Sequence, residues 1–326
     1  MTVHFDTKAI VEVATPARVM KAMERCFAIE ADGDVDLPPR IDTPTPTGFF
    51  RCMPARLGDV VGVKTMTLVR GVGNRYLFLL SDVATGELLA VFDAAQLTAL
   101  RTAGVTTLAG SHMLDSAPTS LALIGSGMEA ESHLSMMAEI WPLERVTVWS
   151  RNVERREAFA ARLSMATGVE VSAGRSMEAT LRSSDVVVLA TKSETPVING
   201  SALNPGSNVL SIGSTRPVLR ELDERSMRRT KTLVVDSIDQ VLAESGDIQT
   251  ALENGWLEMS QMVSLADVVA GSRSIPSHDE ARDISTFKSV GTALQDLALA
   301  RMLHLTKSDH TEITDLGELA GLKGND

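Results

Sequence analysis

Cysteine is almost absent from the chain: among 326 residues there are two, Cys26 and Cys52. No Cys or His stands at zinc-ligand spacing from either, so neither a disulfide framework nor a structural metal site organises the fold, and a reducing, cytoplasmic setting is expected. Aromatic residues are scarce at 4%, which leaves methionine, present 15 times, to fill gaps in the cores. Long apolar runs are missing too. None approaches the roughly 20 residues of a membrane span, and the charged stretch from Met1 to Ile10 lacks the apolar core of a secretory peptide. Positive charge is outnumbered, with 31 Lys and Arg against 42 Asp and Glu. The net charge of −11 would repel a phosphate backbone and argues against general nucleic-acid binding. What remains is an ordinary globular composition, long enough for about two domains and suited to a soluble enzyme.

Along the chain, Val19, Met20, Met23, Cys26 and Phe27 recur at helical spacing and predict an amphipathic helix over about 15–30, closed by Asp32-Gly33-Asp34. Between Leu37 and Val91 the pattern changes to short β-type runs separated by Pro, Gly and Asp turns, read as a largely antiparallel sheet. Helical spacing returns from Asp93 to Leu114, and Asp115-Ser116-Ala117-Pro118 reads as a linker. Beyond it, apolar runs at 121–124, 146–149, 169–171, 186–190, 209–212 and 233–235 alternate with glycine turns and helical patterns. That alternation predicts a doubly wound parallel sheet of Rossmann type. A last helix over about 290–304 returns toward the first domain, and a polar tail follows from Lys307. The expected organisation is therefore an α+β domain at 1–117, completed by 291–326, and an α/β nucleotide-binding domain at 118–290. There is no internal repeat.

The strongest motif is the run Leu121 to Ala130, a buried strand entering G-x-G-x-x-A and then a helix. Gly125 permits the tight turn, Gly127 lets the backbone approach a pyrophosphate, Ala130 packs helix on strand, and Met128 and Glu129 open the helix facing the anion. A carboxylate at Glu129 suits that position only if it turns outward. About 20 residues on, an NAD site usually places an acid, whereas here Ser150-Arg151-Asn152 follows the second strand, with Arg155 and Arg156 a turn later. A hydroxyl and guanidiniums accept a 2′-phosphate, so NADP(H) is preferred and NAD(H) stays open. The plainer reading of these arginines is a solvated helix start. His133, on the same helix as Ala130, reads as a surface or packing residue.

A second feature is a basic island in an acidic chain: Arg40, Arg51, Arg56, Lys64, Arg70 and Arg75 against Asp42 and Asp59. An anionic ligand would explain it, although charges on an antiparallel sheet are ordinarily its wet face. Several separated motifs then bear on the choice. They are Pro38-Pro39-Arg40, Met53-Pro54, Gly62-Val63-Lys64, Asp82 to Gly86, Leu97 to Ala103, the glycine turn, Pro217 to Leu222, and Phe287 to Gly291. In this order and spacing the sequence resembles the ornithine cyclodeaminase/mu-crystallin family over nearly the whole chain.

The resemblance implies a homodimer joined through the N-terminal domain, and a substrate carboxylate held by Arg40, Lys64 and Arg101. It implies further that Arg51 and Met53 line the substrate pocket. Thr106 would face the cofactor phosphates, Thr191 the adenosine side, and Lys288, Ser289 and Val290 the nicotinamide side. Ile212, Gly213 and Ser214 end the fifth strand beside the cofactor. Two departures qualify the activity. Cyclodeaminases and the related alanine dehydrogenases carry an Asp where Thr215 stands, and Thr is no general base near neutral pH without an activating partner. The acidic residue expected near Met-Pro to meet a substrate amine is Arg51, which would repel an ammonium. Both point to an NADPH-dependent reductase of a small, cyclic α-imino carboxylate such as pyrroline-2-carboxylate or piperideine-2-carboxylate, with Lys64 or a water as proton donor. The alternatives are a cyclodeaminase or amino-acid dehydrogenase, including an opine-type enzyme, and a mu-crystallin-like NADP-dependent binding protein.

Overall fold

The computed structural model describes residues 2–275, 283–307 and 314–316. The polar tail expected from Lys307 onward lies outside them, apart from Lys307 itself and 314–316. The chain divides into two compact units, Met1–Arg101 with Thr292–Asp326, and Thr102–Gly291.

The first unit opens with β1 (Val3–Phe5), α1 (Thr7–Val13) and α2 (Pro16–Ala31). Pro16 at the first helical position of α2 lacks only an N–H that would be unpaired there anyway. Val19, Ala22, Met23, Cys26 and Phe27 then form its buried stripe. Next come β2 (Val35–Asp36), β3 (Ile41–Thr45), β4 (Gly48–Leu57), β5 (Val60–Val69), β6 (Gly73–Asp82) and β7 (Leu88–Asp93). On β4, Arg51, Met53, Ala55 and Leu57 are buried while Cys52, Pro54 and Arg56 are half-exposed, the period-two signature of a strand with one covered face. Helix α3 (Ala94–Met113) follows and contains the boundary between the units.

The second unit carries β8 (Ser120–Ile124), α4 (Met128–Ile140), β9 (Arg145–Trp149), α5 (Val153–Thr167), β10 (Glu170–Ala173), α6 (Met177–Leu181) and β11 (Val186–Leu189). It continues with β12 (Asn208–Ser211), α7 (Glu224–Arg229), β13 (Thr230–Val235), α8 (Ile238–Glu244), α9 (Gly246–Glu253), β14 (Met262–Ser264), α10 (Leu265–Val269) and β15 (Ile284–Lys288). Its eight strands are all parallel, in the order β10-β9-β8-β11-β12-β15-β13-β14. The chain reverses direction of growth between β8 and β11, and a sheet of this kind opens a crevice at the carboxyl ends of those two strands. The six expected strands are all present. Two more, β14 and β15, carry no clear signal in the sequence, and β15 pairs between β12 and β13 although it is the last strand of this sheet in chain order.

The chain then returns to the first unit as α11 (Ala293–Thr306) and β16 (Thr314–Asp315). The sheet there runs β16-β1-β7-β6-β5-β4-β2, with β3 also on β4. It is antiparallel except for β1 on β7. Helix α11 lies against α2 and against β4 and β5. A methyl group at Gly62 would come within 2.9 Å of Leu297, so glycine there is what allows that approach. Phe5 stacks on Phe92 at 4.8 Å between ring centres, and Phe78 meets Phe92 edge-on at 6.3 Å, forming an aromatic cluster in this unit's core.

Three boundaries differ from the expected ones. β1 and α1 escape the sequence pattern, because three and seven residues are too short to show a period. The last helix begins at Ala293 rather than near Val290, since Gly291 adopts φ +77°. The units divide at Arg101 and Thr102, not at the polar stretch 115–118. The second half of α3 packs in the second unit, where Trp141 donates to Ser111 Oγ at 3.0 Å and its ring would meet a methyl at Gly110 at 2.8 Å.

Candidate functional site

Each unit holds one cluster of the residues singled out in the sequence. In the first, Lys64 on β5 pairs in register with Met53 on β4, and both point to the buried face. The Lys64 ammonium donates to Asp296 Oδ2 at 2.5 Å, and Arg101 Nε donates to Asp296 Oδ1 at 3.0 Å. Arg101 also donates through Nη1 to Gln295 at 2.8 Å. Asp296 is fully buried, and Lys64 and Arg101 nearly so. Burial lowers the Lys64 pKa to about 8, with Asp296 opposing the fall and the cations Arg101 and Arg40 adding to it. Arg40, Lys64 and Arg101 are thus close enough to act on one another. An anion arriving there meets cations already desolvated, where charge-assisted hydrogen bonds are strongest.

Arg51 does not join them as expected. It forks onto Asp42, with Nε and Nη2 each 2.6 Å from a carboxylate oxygen, and lies over the Phe49 ring. Asp42 pairs directly with Arg51 across β3 and β4, so the strand register itself supplies the counter-charge. The repulsion of an ammonium expected from Arg51 is therefore largely cancelled.

In the second unit a cleft of about 550 Å³ opens at the carboxyl ends of β8, β9 and β11. Gly125, Gly127, Ser150, Arg151, Arg155 and Thr191 line it, joined by Ser126, Trp149 and Lys192, to which the sequence pattern gives no role. Gly125 has φ +130°, and a methyl on it would lie 2.5 Å from the Ala190 carbonyl, so β8 and β11 approach closely only with glycine there. A methyl on Gly127 would meet nothing within 4 Å; the space beside it, at the start of the 13-residue helix α4, is open. That is room for a pyrophosphate on backbone N–H groups. Ser126 Oγ donates to Ser150 Oγ at 2.9 Å, and Asn152 caps α5 by accepting from Arg155 N at 2.7 Å instead of lining the cleft. Among the described residues, the lining includes the cations Arg151, Arg155 and Lys192 and no carboxylate. Ala130 is buried under the helix, Met128 is exposed, and Glu129 is half-buried.

Behind the cleft lies a buried carboxylate bracket. Glu221 Oε1 accepts from Thr191 N at 2.8 Å and Thr191 Oγ1 at 2.7 Å; its Oε2 accepts from Ser211 Oγ at 2.7 Å and Gly213 N at 2.8 Å. One side chain therefore ties the ends of β11 and β12 together. Burial pushes the Glu221 pKa up against the pull of Lys288. Asp247 accepts from Glu221 N at 2.8 Å and from Lys288 Nζ at 3.1 Å. Lys288 also donates to Ser211 Oγ at 2.9 Å and is fully buried. A further carboxylate, Asp236, accepts from Ser289 Oγ at 2.7 Å, Val290 N at 3.2 Å and Gly291 N at 2.8 Å.

These contacts engage several of the side chains singled out in the sequence. The three donors of Lys288 face Ser211, Asp247 and, at 3.9 Å, Glu221, so its ammonium holds the bracket. Thr106 is fully buried, donates to Thr102 O at 2.9 Å and lies 3.0 Å from His133 Nε2. Ser214 donates to Leu219 O at 2.6 Å, and Ser289 to Asp236. Ile212 and Val290 are buried, and Thr215 is half-buried in the loop after β12. His133 is a buried packing residue, with Nδ1 2.6 Å from Glu129 O. Glu221, Asp236, Asp247 and Asp296 escape sequence reasoning because acids scattered along an acidic chain look like surface. Among the described residues no group of His, Cys, Asp and Glu is placed to hold a metal ion, and no helix is long and apolar enough to cross a membrane.

Residues 3–310 match the model of the ornithine cyclodeaminase/mu-crystallin family. Ketimine reductase mu-crystallin of Mus musculus is 31% identical over 288 residues, 85% of this chain and 87% of that protein. Among solved structures, a probable ornithine cyclodeaminase from Bordetella pertussis superposes with a TM-score of 0.87 at 30% identity, covering 93% of this chain and 96% of the other. Delta(1)-pyrroline-2-carboxylate reductase of Thermococcus litoralis, in complex with NADH and L-proline, gives 0.89 at 28% identity, covering 96% and 100%.

The bracket makes a stability prediction. Asp247→Ala leaves Lys288 buried without its nearest carboxylate and should cost about 3–5 kcal/mol, read from the urea denaturation midpoint. Glu224→Ala, which breaks the exposed pair with Arg228, should change it by no more than about 0.5 kcal/mol.

Proposed function

The chain belongs to the ornithine cyclodeaminase/mu-crystallin family, and we propose that within it the protein is an NADPH-dependent reductase of small, cyclic α-imino carboxylates, such as pyrroline-2-carboxylate or piperideine-2-carboxylate. It is an oxidoreductase acting on C=N bonds. The observation that carries this reading is the cationic cluster of buried Lys64 and Arg101 with half-buried Arg40. Arg40 and the free N–H groups of Arg101 take the substrate carboxylate, which fixes the imine near Lys64. Such fixing lowers a barrier by removing the entropy of encounter. Lys64 stays protonated below about pH 8 and can give its proton to the imine nitrogen.

The cofactor fits the cleft of the second unit. Backbone around Gly125, Ser126 and Gly127 takes the pyrophosphate, and Ser150, Arg151 and Arg155 take the 2′-phosphate of NADP(H). When bound, the reduced nicotinamide supplies hydride. NADP(H) over NAD(H) rests on the three cations and the missing carboxylate, while the Thermococcus litoralis relative was solved with NADH. A cyclodeaminase, suggested by the name of the Bordetella pertussis relative, needs a carboxylate to activate water, and Thr215 does not provide one.

We assign the homodimer to the outward face of the first unit's sheet. Phe50, Cys52, Pro54, Val61, Val63, Leu77 and Leu79 share that face by register, and Phe50, Val61 and Leu77 are 37%, 39% and 40% exposed. Exposed apolar side chains on this face, set among Thr65, Thr67 and Arg75, call for a partner, and a second copy offers the same face across a twofold axis.

Three measurements check these readings. The unmodified protein should consume NADPH with cyclic 2-imino acids and release no ammonia from ornithine with oxidised cofactor; Arg40→Met should lower kcat/KM at least about tenfold at unchanged cofactor affinity. Steady ammonia release would restore the cyclodeaminase reading. In calorimetry NADPH should bind about tenfold or more tightly than NADH, and Ser150→Asp with Arg151→Ala should reverse the order. Leu77→Asp should convert a dimer into a monomer in light scattering, with its thermal midpoint as the control for folding.

A further inference from the structure

Asp296 belongs to α11, which enters the first unit from the far end of the chain, yet its carboxylate is the nearest acid to both Lys64 and Arg101. The approach is built into the packing: Leu297 sits where a side chain at Gly62 would be, two residues before Lys64 on β5. With Gln295 beside it, Asp296 fixes Arg101 through two of its nitrogens and leaves the others free. The carboxylate is fully buried, so neither cation gains by turning to water.

We propose that Asp296 is the positioning residue of the substrate site, orienting Lys64 and Arg101 and keeping Lys64 charged until it gives its proton to the imine nitrogen. This rests on the imine-reductase reading. In the step, a Lys64 N–H bond breaks and its electron pair stays on Nζ, while the proton forms the new N–H bond on the substrate. The C=N carbon gains hydride from a reduced nicotinamide, which is oxidised, and solvent returns the proton to Lys64.

The charge balance around Lys64 requires such a residue. Facing it are Asp296 from α11, Arg101 from α3, and Arg40 from the segment before β3. Cys26 of α2 also lies within reach of Asp296, and burial pushes its thiol up, so it stays neutral. Two cations and burial all favour loss of the Lys64 proton; Asp296 alone opposes it. With the carboxylate present the group titrates at about 8, close enough to neutrality for it to be both charged and a competent acid. Without it, the charged fraction of Lys64 near neutral pH falls, and fewer molecules hold a proton ready for the imine.

The test is a 15N NMR titration of the Lys64 ammonium, assigned by its loss in Lys64→Arg, in the unmodified protein and in Asp296→Asn, with pH profiles of kcat/KM in parallel. Removing the negative charge should lower the titration midpoint by about one pH unit or more. Because the protonated form is the active one, the alkaline limb of kcat/KM should move down by the same amount. Asp296→Glu should recover part of both. A folded Asp296→Asn with an unmoved midpoint overturns the proposal. If that variant does not fold, Asp296→Glu carries the test: it keeps the charge but displaces the carboxylate from Lys64, so the midpoint must fall by part of that amount, and no change overturns the proposal. A midpoint that moves in a protein reducing no imino acid overturns the reductase reading and leaves the positioning of Lys64 standing. An unmoved midpoint in an active reductase does the reverse.

Discussion

An ion removed from water keeps its charge only beside an opposite ion, and each unit of this protein is arranged around such a meeting. In the first unit Asp296 holds Lys64 and Arg101; in the second Asp247 and Glu221 hold Lys288. The partners come from distant parts of the chain, so each pairing forms only when the correct strands and helices are in place. A buried carboxylate of this kind is poor at adding stability over an apolar core, but it fixes which groups face which. The direction of Lys64, the ends of β11 and β12, and the turn at 289–291 are all held by carboxylates that water does not reach.

The two networks do different work. The Glu221 bracket uses all three donors of Lys288 and braces the backbone behind the cleft, so the cleft keeps its shape without exposing charge of its own. The Asp296 pairing leaves donors free on Arg101 and Lys64 and holds the lysine near neutrality. The first kind of network preserves a shape; the second prepares a reactive group. One chemical device, a buried carboxylate among cations, serves both because the number of donors left over differs.

Much of the architecture is legible in the order of residues. The glycine turn at 125–130 announces itself through a strand before it and a helix after it, and six parallel strands follow from alternation of apolar runs. Arg40, Lys64 and Arg101 stand out as basic residues within the family motifs. Arg51 stands out equally and misleads, because its partner Asp42 faces it only through the β3–β4 register. The contacts of Lys288 are hidden for a related reason: a lysine at the end of a strand gives no sign in sequence of which buried acids its ammonium meets. The parallel strand β15 stays hidden because its place between β12 and β13 is set by a crossover that spans much of the second unit.

The sequence by itself determined what is local: the period of each helix and strand, the turn that a glycine permits, the absence of an acid after β9, and the presence of Thr215 where a carboxylate would otherwise stand. These depend on neighbours within a few residues, which is the range over which backbone sterics and side-chain periodicity act. Tertiary structure alone decided which charges are neutralised, which hydroxyls are engaged, and that α11 returns to place Asp296 against Lys64. Electrostatic interaction depends on distance in space and on exclusion of water, and neither is a property of position along the chain.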